Sequence, residues 1–303
     1  MKIAFFSETG NNQRYPRDFP NARTECAWAI ALDAPMCNLN VLPDEKFDLG
    51  IVIIPKNNPN VSLDFIRKCC DKVAVMQEGP HWFFQDYSIE QQFKYFNTLM
   101  DADWIYCHNN SDVDYYRGLG CEDVRVMRSL MITDGLIPRS EWGDTTMIGG
   151  NMVSWYGGFD SYIIAREIGN PMSAPSMGRK QQQEDSIEDI NYLPYMSWRD
   201  WIDCLSQYNI GVHLMRTHAA GTFALNCGFH GIPCIGYKGL DTQEILHPLT
   251  TVDVGDLEKA KNIAKKLKES EKFYNLCSDT IKKKYESNYT EEVWKRNWEL
   301  RNK

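Results

Sequence analysis

Residues 218–237, HAAGTFALNCGFHGIPCIGY, predict an apolar helix that begins at a Gly-Thr pair and ends at a glycine, followed by an apolar strand. The first amide groups of a helix have no partner within it, and the helix dipole is positive there. A glycine-rich helix start therefore favours a bound phosphate. Arg216, just upstream, could add a charge-assisted contact to that phosphate. The alternative interpretation is an ordinary helix with Thr222 as its N-cap residue.

Outward from this stretch, short apolar runs alternate with segments of helical spacing along most of the chain. Uninterrupted apolar runs such as 49–54 and 73–76 are typical of strands buried on both faces of a sheet. Strands that alternate with helices predict βαβ units and a parallel sheet. A chain of 303 residues suggests two domains of about 150 residues each. We therefore expect an α/β protein with two Rossmann-like doubly wound domains facing across a cleft, followed by C-terminal helices.

Composition excludes some functions and compartments. The net charge is −8 without a long basic block, which argues against tight electrostatic binding to nucleic acid or to anionic lipid, although a local basic groove stays open. The ten cysteines are scattered and show no Cys-x-x-Cys spacing, and the six histidines show no metal-ligand spacing. No segment has the apolar length of a signal peptide or a membrane span. These features predict a reduced cytoplasmic protein without stable membrane insertion and without a bound metal.

The segment that begins at His218 and ends with Gly231-Ile-Pro-Cys-Ile235 resembles the donor-binding segment of GT-B glycosyltransferases. That family typically shows two glutamates eight positions apart, then small residues and Gly-x-Pro-Val-Ile. Aligned on the trailing motif, Asn226 and His218 stand in place of the second and first glutamates, so the carboxylate grip on the donor ribose is not secured. Asn226 can still hydrogen-bond a hydroxyl. Gly221 and Thr222 keep the phosphate-facing turn.

The resemblance implies an N-terminal acceptor-side domain at 1–135, a C-terminal donor-binding domain at 136–285, and a last helix at 286–303 that could cross back onto the first domain. It also implies a nucleotide-sugar as co-substrate, with no other cofactor, because helix dipoles and basic residues neutralise the leaving diphosphate. A second glycine-rich turn at 149–158 corresponds to one that approaches the donor in GT-B enzymes, which suggests roles for Gly150 and Asn151. The alternative is a flexible turn that carries two packed aromatic residues.

The catalytic group is sought in the first domain. Glu78 follows the buried strand at 73–76 and precedes Gly-Pro and His81. A carboxylate at the end of a strand is suitably placed for a general base, and the phage DNA β-glucosyltransferases, which are inverting GT-B enzymes, are similar in having an acid at a comparable position. His81 is the competing base, since an imidazole titrates near neutral pH. If the enzyme retains configuration, Glu78 loses this role and His218 gains interest. Glu78 is otherwise a solvated turn residue.

A long polar loop at 11–23 carries Arg14, Arg17 and Arg23, and Glu8 lies in the turn just before it. A loop of this length is more often functional than idle, so it could hold phosphates or a polar acceptor; otherwise it is a surface loop. His213 lies within an apolar strand and is expected to be a hydrogen-bonded core residue. His230 lies at a helix end, where a cation is favoured.

The leading hypothesis is a metal-independent glycosyltransferase that moves a sugar from a nucleotide-sugar to an acceptor held by the first domain. The acceptor stays open among a glycan, a small molecule and a modified DNA base, and so do the stereochemical outcome and the oligomeric state. Two alternatives remain: a nucleotide-sugar epimerase of the same fold, and a two-domain ligand-binding protein without catalysis.

Overall fold

The computed structural model describes most of the chain. Two of the candidate residues, His81 and Asn151, lie outside the described residues. The described residues are 1–55, 59, 61–80, 83–141, 143–150, 152, 154–175 and 187–302.

The secondary structure alternates strands and helices, as expected for βαβ units. In chain order the elements are β1 (Ile3–Ser7), α1 (Thr24–Ala31), β2 (Met36–Asn38), β3 (Phe47–Ile53), α2 (Leu63–Arg67), β4 (Cys70–Met76), α3 (Ile89–Asp101), β5 (Trp104–Cys107), α4 (Val113–Leu119), β6 (Val124–Val126), β7 (Thr145–Ile148), α5 (Gly158–Ile168), β8 (Met172–Pro175), β9 (Ile190–Leu193), α6 (Trp198–Leu205), β10 (Tyr208–His213), α7 (Thr222–His230), β11 (Cys234–Tyr237), α8 (Asp241–Leu246), β12 (Thr251–Val252), α9 (Leu257–Glu269), α10 (Glu271–Asn288) and α11 (Glu291–Arg301).

The chain folds into two compact units, each with its own six-stranded sheet. Unit 1 comprises Met1–Asp134, His218–Ala220 and Glu291–Lys303, and unit 2 comprises Gly135–Thr217 and Gly221–Thr290. No sequence pattern indicates that the three residues His218–Ala220 belong with unit 1.

The sheet of unit 1 has the strand order β2-β1-β3-β4-β5-β6, and all its strand pairs are parallel. The central strands β1, β3 and β4 are almost continuously buried, because helices cover both faces of a parallel sheet. On one face, Trp28 of α1 packs against Tyr106 of β5 and against Trp294 and Trp298 of α11, with ring centroids 5.3 to 6.4 Å apart. The C-terminal helix is therefore part of the core of unit 1.

The sheet of unit 2 has the order β9-β8-β7-β10-β11-β12, again all parallel. Numbered within the unit, this is the strand order 3-2-1-4-5-6 of dinucleotide-binding folds, which reverses direction between the first and fourth strands. Here these strands are β7 and β10. The predicted fold class, α/β with two Rossmann-like doubly wound domains, is confirmed.

Some elements differ from the expectations drawn from sequence. Helical spacing also predicts a helix over 62–72, but in the structure this helix is confined to α2, because the chain from Cys70 onward already pairs as β4. All ten cysteines are free thiols. Among the described helices, none combines the length and the apolar character that crossing a bilayer requires.

Replacing Trp28 with alanine tests the aromatic core of unit 1. Trp28 is fully buried, so Trp28→Ala is expected to lower the free energy of unfolding by about 3–5 kcal/mol in chemical denaturation. The matched control is Phe93→Ala on α3, where the side chain is 61% exposed and a change within about 0.5 kcal/mol is expected. Equal losses for the two variants would contradict this description of the core.

Candidate functional site

The carboxyl ends of β7 and β10 form the point in unit 2 where the strand order reverses, and ligands bind open α/β sheets at such points. Gly149 follows β7, and its amide donates to the carbonyl of Val212 at 2.8 Å. A Cβ on Gly149 would lie 2.6 Å from the Phe223 ring and 2.7 Å from the His213 ring. Gly150 has a φ of +72°. Only glycines allow this turn to lie so close to the beginning of α7.

The N-terminus of α7 lies beside this turn, since Phe223 is the second residue of the helix. The N-cap residue is Gly221, with φ +64°, and no side chain among the described residues caps the helix. The interpretation with Thr222 as N-cap is therefore wrong: Thr222 is the first helical residue. A Cβ on Gly221 would lie 2.0 Å from Oγ1 of Thr242, which is 2% exposed. Within the described part of the chain that hydroxyl has no hydrogen-bond partner.

A charged pair lies at the same edge of unit 2. Nη2 of Arg216 is 2.8 Å from Oδ2 of Asp160, in the first turn of α5, and the hydroxyl of Tyr237 donates to the same oxygen at 3.0 Å. The hydrogen bond with Asp160 raises the pKa of Arg216. The Arg216 side chain is largely exposed. Because a guanidinium carries five N–H donors, Arg216 can hold Asp160 and still contact a phosphate. Asn226 lies one turn into α7 and is buried.

Two histidines of unit 2 differ from the expectation. Nε2 of His213 is buried and has no hydrogen-bond partner among the described residues, so the expected hydrogen bond is not found at that nitrogen. Burial lowers its pKa to about 4. His230 is not a helix-end cation, because burial also lowers its pKa to about 4 and its ring is held by the amide of Arg139 and the carbonyl of Ile202.

In unit 1 a polar cluster occupies the carboxyl ends of β4, β5 and β6. We call Gln77, Asn109 and Ser129 the carbonyl clamp, because these three buried side chains donate to three consecutive backbone carbonyls. Gln77 Nε2 donates to the carbonyl of His218 at 3.5 Å, Asn109 Nδ2 donates to that of Ala219 at 2.9 Å, and Ser129 Oγ donates to that of Ala220. The clamp fixes the backbone of His218–Ala220 on the sheet.

The ring of His218 lies against a buried carboxylate. Its Nδ1 is 3.2 Å from Oγ of Ser111 and 3.6 Å from Oδ1 of Asp112. Asp112 is 0% exposed, and its other oxygen accepts a hydrogen bond of 2.9 Å from Asn109. Since the His218 side chain is 27% exposed, the ring joins a buried acid to the surface.

His108 contacts Gln77, one of the three clamp residues, at two points. Its Nε2 lies 3.0 Å from the carbonyl of Gln77, and its amide donates to Oε1 of the same residue at 3.2 Å. Burial lowers the pKa of His108, although the Asp112 carboxylate acts in the opposite direction. The backbone amide of His108 holds the Gln77 side chain, and its ring holds the Gln77 carbonyl.

The predicted base Glu78 is exposed and comes directly after Gln77 at the end of β4. It lies near Tyr87, whose pKa is raised by burial and also by the Glu78 carboxylate. His81, the competing base, lies outside the described residues.

Two of the predicted loop arginines contact other parts of unit 1, and the third contacts the loop itself. Arg17 pairs with Asp134 and with Glu291 of α11. The guanidinium of Arg14 donates to the carbonyl of Asp33 at 2.8 Å, and that of Arg23 donates to Asn21 at 2.9 Å. These contacts give all three arginines a role in holding the loop.

Glu8 borders a cavity of about 530 Å³ at the carboxyl ends of β1, β2 and β3. Leu39, Pro55 and Phe65 contribute apolar surface to its wall, and Asp64 and Lys68 contribute charges. The structure thus places Glu8 in a concave site of unit 1, next to the loop and at the end of a strand.

Sequence reasoning missed the carbonyl clamp and Asp112. Each clamp residue follows a buried strand by one to three positions, and the run Cys107-His-Asn-Asn-Ser-Asp112 is polar throughout after its cysteine. Polar residues directly after buried strands were the available signal. Their partners could not be found from it.

No known family model matches the sequence, and no curated protein is similar to it. Solved structures do share the fold. Sucrose-phosphate synthase from Thermosynechococcus elongatus has a TM-score of 0.72 at 11% identity, over 99% of this chain and 98% of that one. An alpha-glucosyltransferase in complex with UDP and a 13-mer DNA containing a HMU base has a TM-score of 0.64 at 14% identity, over 100% of this chain and 99% of that one.

TarM from S. aureus, in a complex that includes UDP, has a TM-score of 0.66 at 9% identity, over 84% of this chain and 55% of that one. The chain spans about half the length of the TarM structures that it matches. The resemblance to GT-B glycosyltransferases is confirmed at the level of the fold.

A double-mutant cycle tests the contact between Gly221 and Thr242. Gly221→Ala is expected to lower the free energy of unfolding by about 2–4 kcal/mol, because the new methyl group meets Oγ1 of Thr242 and the backbone keeps a positive φ. Adding Thr242→Ala should recover about 1 kcal/mol or more of that loss, since it removes the colliding hydroxyl. Strictly additive effects in urea denaturation would show that the two residues are not in contact.

A pair of histidine variants tests the unpaired Nε2 of His213. At pH 7, His213→Phe should leave the stability unchanged or raise it, because it removes a buried group without a partner. His247→Phe should lower it by about 1–3 kcal/mol, since His247 accepts from the amide of Cys234 and donates to the carbonyl of Ala224.

The same histidines make the stability of the protein depend on pH. Burial lowers the pKa of both histidines from 6.5 to about 4, so the unfolded chain binds more protons between those values and stability falls as the pH falls through that window. His213→Phe should make this fall shallower by up to about 1.4 kcal/mol per pH unit. A slope like that of the unmodified protein, or a loss at pH 7 like that of His247→Phe, would contradict the assignment.

Proposed function

We propose that the protein is a glycosyltransferase that binds a nucleotide-sugar in unit 2 and transfers its sugar to a hydroxyl acceptor. The observation that carries this proposal is the pair of glycine turns at the reversal point of the unit 2 sheet. Gly149, after β7, lies against Phe223 of α7, and Gly221 is the N-cap residue of that helix; a Cβ at either glycine would lie 2.6 Å or less from a neighbouring side chain. Such a turn brings backbone amides and a helix dipole to an anionic group. Two of the similar structures contain UDP.

Different residues of unit 2 bind the diphosphate and the hydroxyl groups of the donor. Gly150, Gly221 and Thr222 face the diphosphate with backbone amides, and Arg216 adds a guanidinium that Asp160 holds in place. Asn226 and Asn151 serve the hydroxyl groups of the ribose or the sugar. With a helix N-terminus and an arginine directed at the leaving diphosphate, the transfer proceeds without a metal ion.

The acceptor binds unit 1, and its chemistry is that of a glycan or a small polyol rather than DNA. The net charge of −8 opposes binding to a polyanion, and Arg17 is already paired with two carboxylates. The cavity beside Glu8 offers both acidic and apolar surface, which suits hydroxyl groups and sugar rings. Free thiols throughout the chain favour a reducing compartment, the cytoplasm.

Thermal-shift measurements with UDP, ADP, GDP and their glucose conjugates test the donor site. At a concentration 100 times its dissociation constant, the cognate nucleotide should stabilise the protein by about 2.7 kcal/mol. Arg216→Ala should weaken that nucleotide about tenfold, whereas Arg166→Ala, on the same unit and paired at 3.9 Å with Asp189, should not. Absence of a shift with every nucleotide and nucleotide-sugar would overturn the proposal.

A further inference from the structure

We propose that His218 is the catalytic base of this transferase, with Asp112 and Ser111 as its positioning residues. The inference rests on the proposed function and adds the identity of the group that removes the acceptor proton. It assigns to His218 a role at the acceptor hydroxyl, in unit 1, in place of a role in binding the donor.

The backbone that carries His218 is fixed with unusual completeness. Three consecutive carbonyls, those of His218, Ala219 and Ala220, each accept a hydrogen bond from a buried member of the carbonyl clamp. Gln77 is itself held by His108 through two further hydrogen bonds. A loop that served only as a connection would not require buried side chains from the ends of three neighbouring strands. A catalytic side chain does, because its reactivity depends on a fixed position.

The imidazole is also oriented. Nδ1 faces the carboxylate of Asp112 at 3.6 Å and the hydroxyl of Ser111 at 3.2 Å. We assign the proton of the neutral imidazole to Nδ1, because the carboxylate attracts an N–H group and the Ser111 hydroxyl can accept from it; Nε2 is then the basic nitrogen. Contacts of this kind are often longer than a hydrogen bond before substrate is bound and tighten in the complex. The buried carboxylate then stabilises the imidazolium as it forms, which is the role of the acid in a Ser-His-Asp triad.

Nε2 of His218 takes the proton of the acceptor hydroxyl while the acceptor oxygen forms a bond to the anomeric carbon of the sugar. The bond between that carbon and the oxygen of the β-phosphate breaks, and its electron pair leaves with the nucleoside diphosphate. The proton on His218 passes to solvent before the next turnover. Asp112 keeps its negative charge throughout.

Glu78 is the competing candidate for the catalytic base, and its surroundings differ from those of His218. Glu78 is exposed at the end of β4, whereas His218 combines a partly exposed ring with a fully buried partner acid. An imidazole that is held by a carboxylate is suited to general-base catalysis near neutral pH. An exposed carboxylate is a weaker base in water.

The test measures release of UDP from UDP-glucose, with water as acceptor, for the full chain and four variants. His218→Ala should lower kcat by roughly 10²–10⁴-fold, and added imidazole should restore at least tenfold of that loss. Asp112→Asn should lower kcat with little change in KM, because the residue acts on the ring and not on the donor. Glu78→Gln should retain most of the activity. Lys94→Ala, on the exposed face of α3, is the control and should behave as the unmodified protein.

Thermal midpoints show whether the variants fold. UDP affinities show whether the proposed donor site in unit 2 is undisturbed. His218→Ala that binds UDP normally, is inactive and is not rescued by imidazole would overturn the assignment, and so would a fully active His218→Ala. Loss of activity in Glu78→Gln with His218→Ala unaffected would assign the base to Glu78. These outcomes leave the proposed function standing. If the unmodified protein neither binds UDP nor releases it from UDP-glucose, the proposed function fails and the assignment of His218 fails with it.

Discussion

The carbonyl clamp is the interaction on which the account of unit 1 depends. Buried amides and hydroxyls are costly unless they are hydrogen-bonded, so Gln77, Asn109 and Ser129 commit the chain to one position of the His218–Ala220 backbone. That position places an imidazole against the buried carboxylate of Asp112. The polar cluster therefore has two effects: it pairs polar groups at the ends of three buried strands, and it fixes the His218 side chain at the carboxyl edge of the sheet.

Steric exclusion plays the corresponding part in unit 2. Gly149 and Gly221 lie so close to Phe223, His213 and Thr242 that any side chain would collide with them. Among the described residues no side chain caps α7, so a phosphate can take the place of a cap at its N-terminus. Among the described residues, the buried hydroxyl of Thr242 at the same place has no hydrogen-bond partner.

The sequence predicts the elements whose signal is local. The buried strands β3 and β10 and the helix α7 follow from their apolar runs, and the glycine turns follow from composition. The strands β8 and β9 are not predicted, because a run such as Met172–Pro175 is short and contains Ser and Pro. The clamp could not be predicted either, since Gln77 and Asn109 find their partners 141 and 110 residues away. Pairing at that distance is decided by the topology of the sheet and leaves no periodicity in the sequence.

A crystal structure of the complex with UDP will show whether the diphosphate binds at the start of α7. We expect the β-phosphate oxygens about 2.7–3.2 Å from the amide nitrogens at the start of α7, with Arg216 in contact and the glycine turn after β7 beside the diphosphate. A UDP molecule bound elsewhere, with the start of α7 covered by protein side chains, would contradict the account.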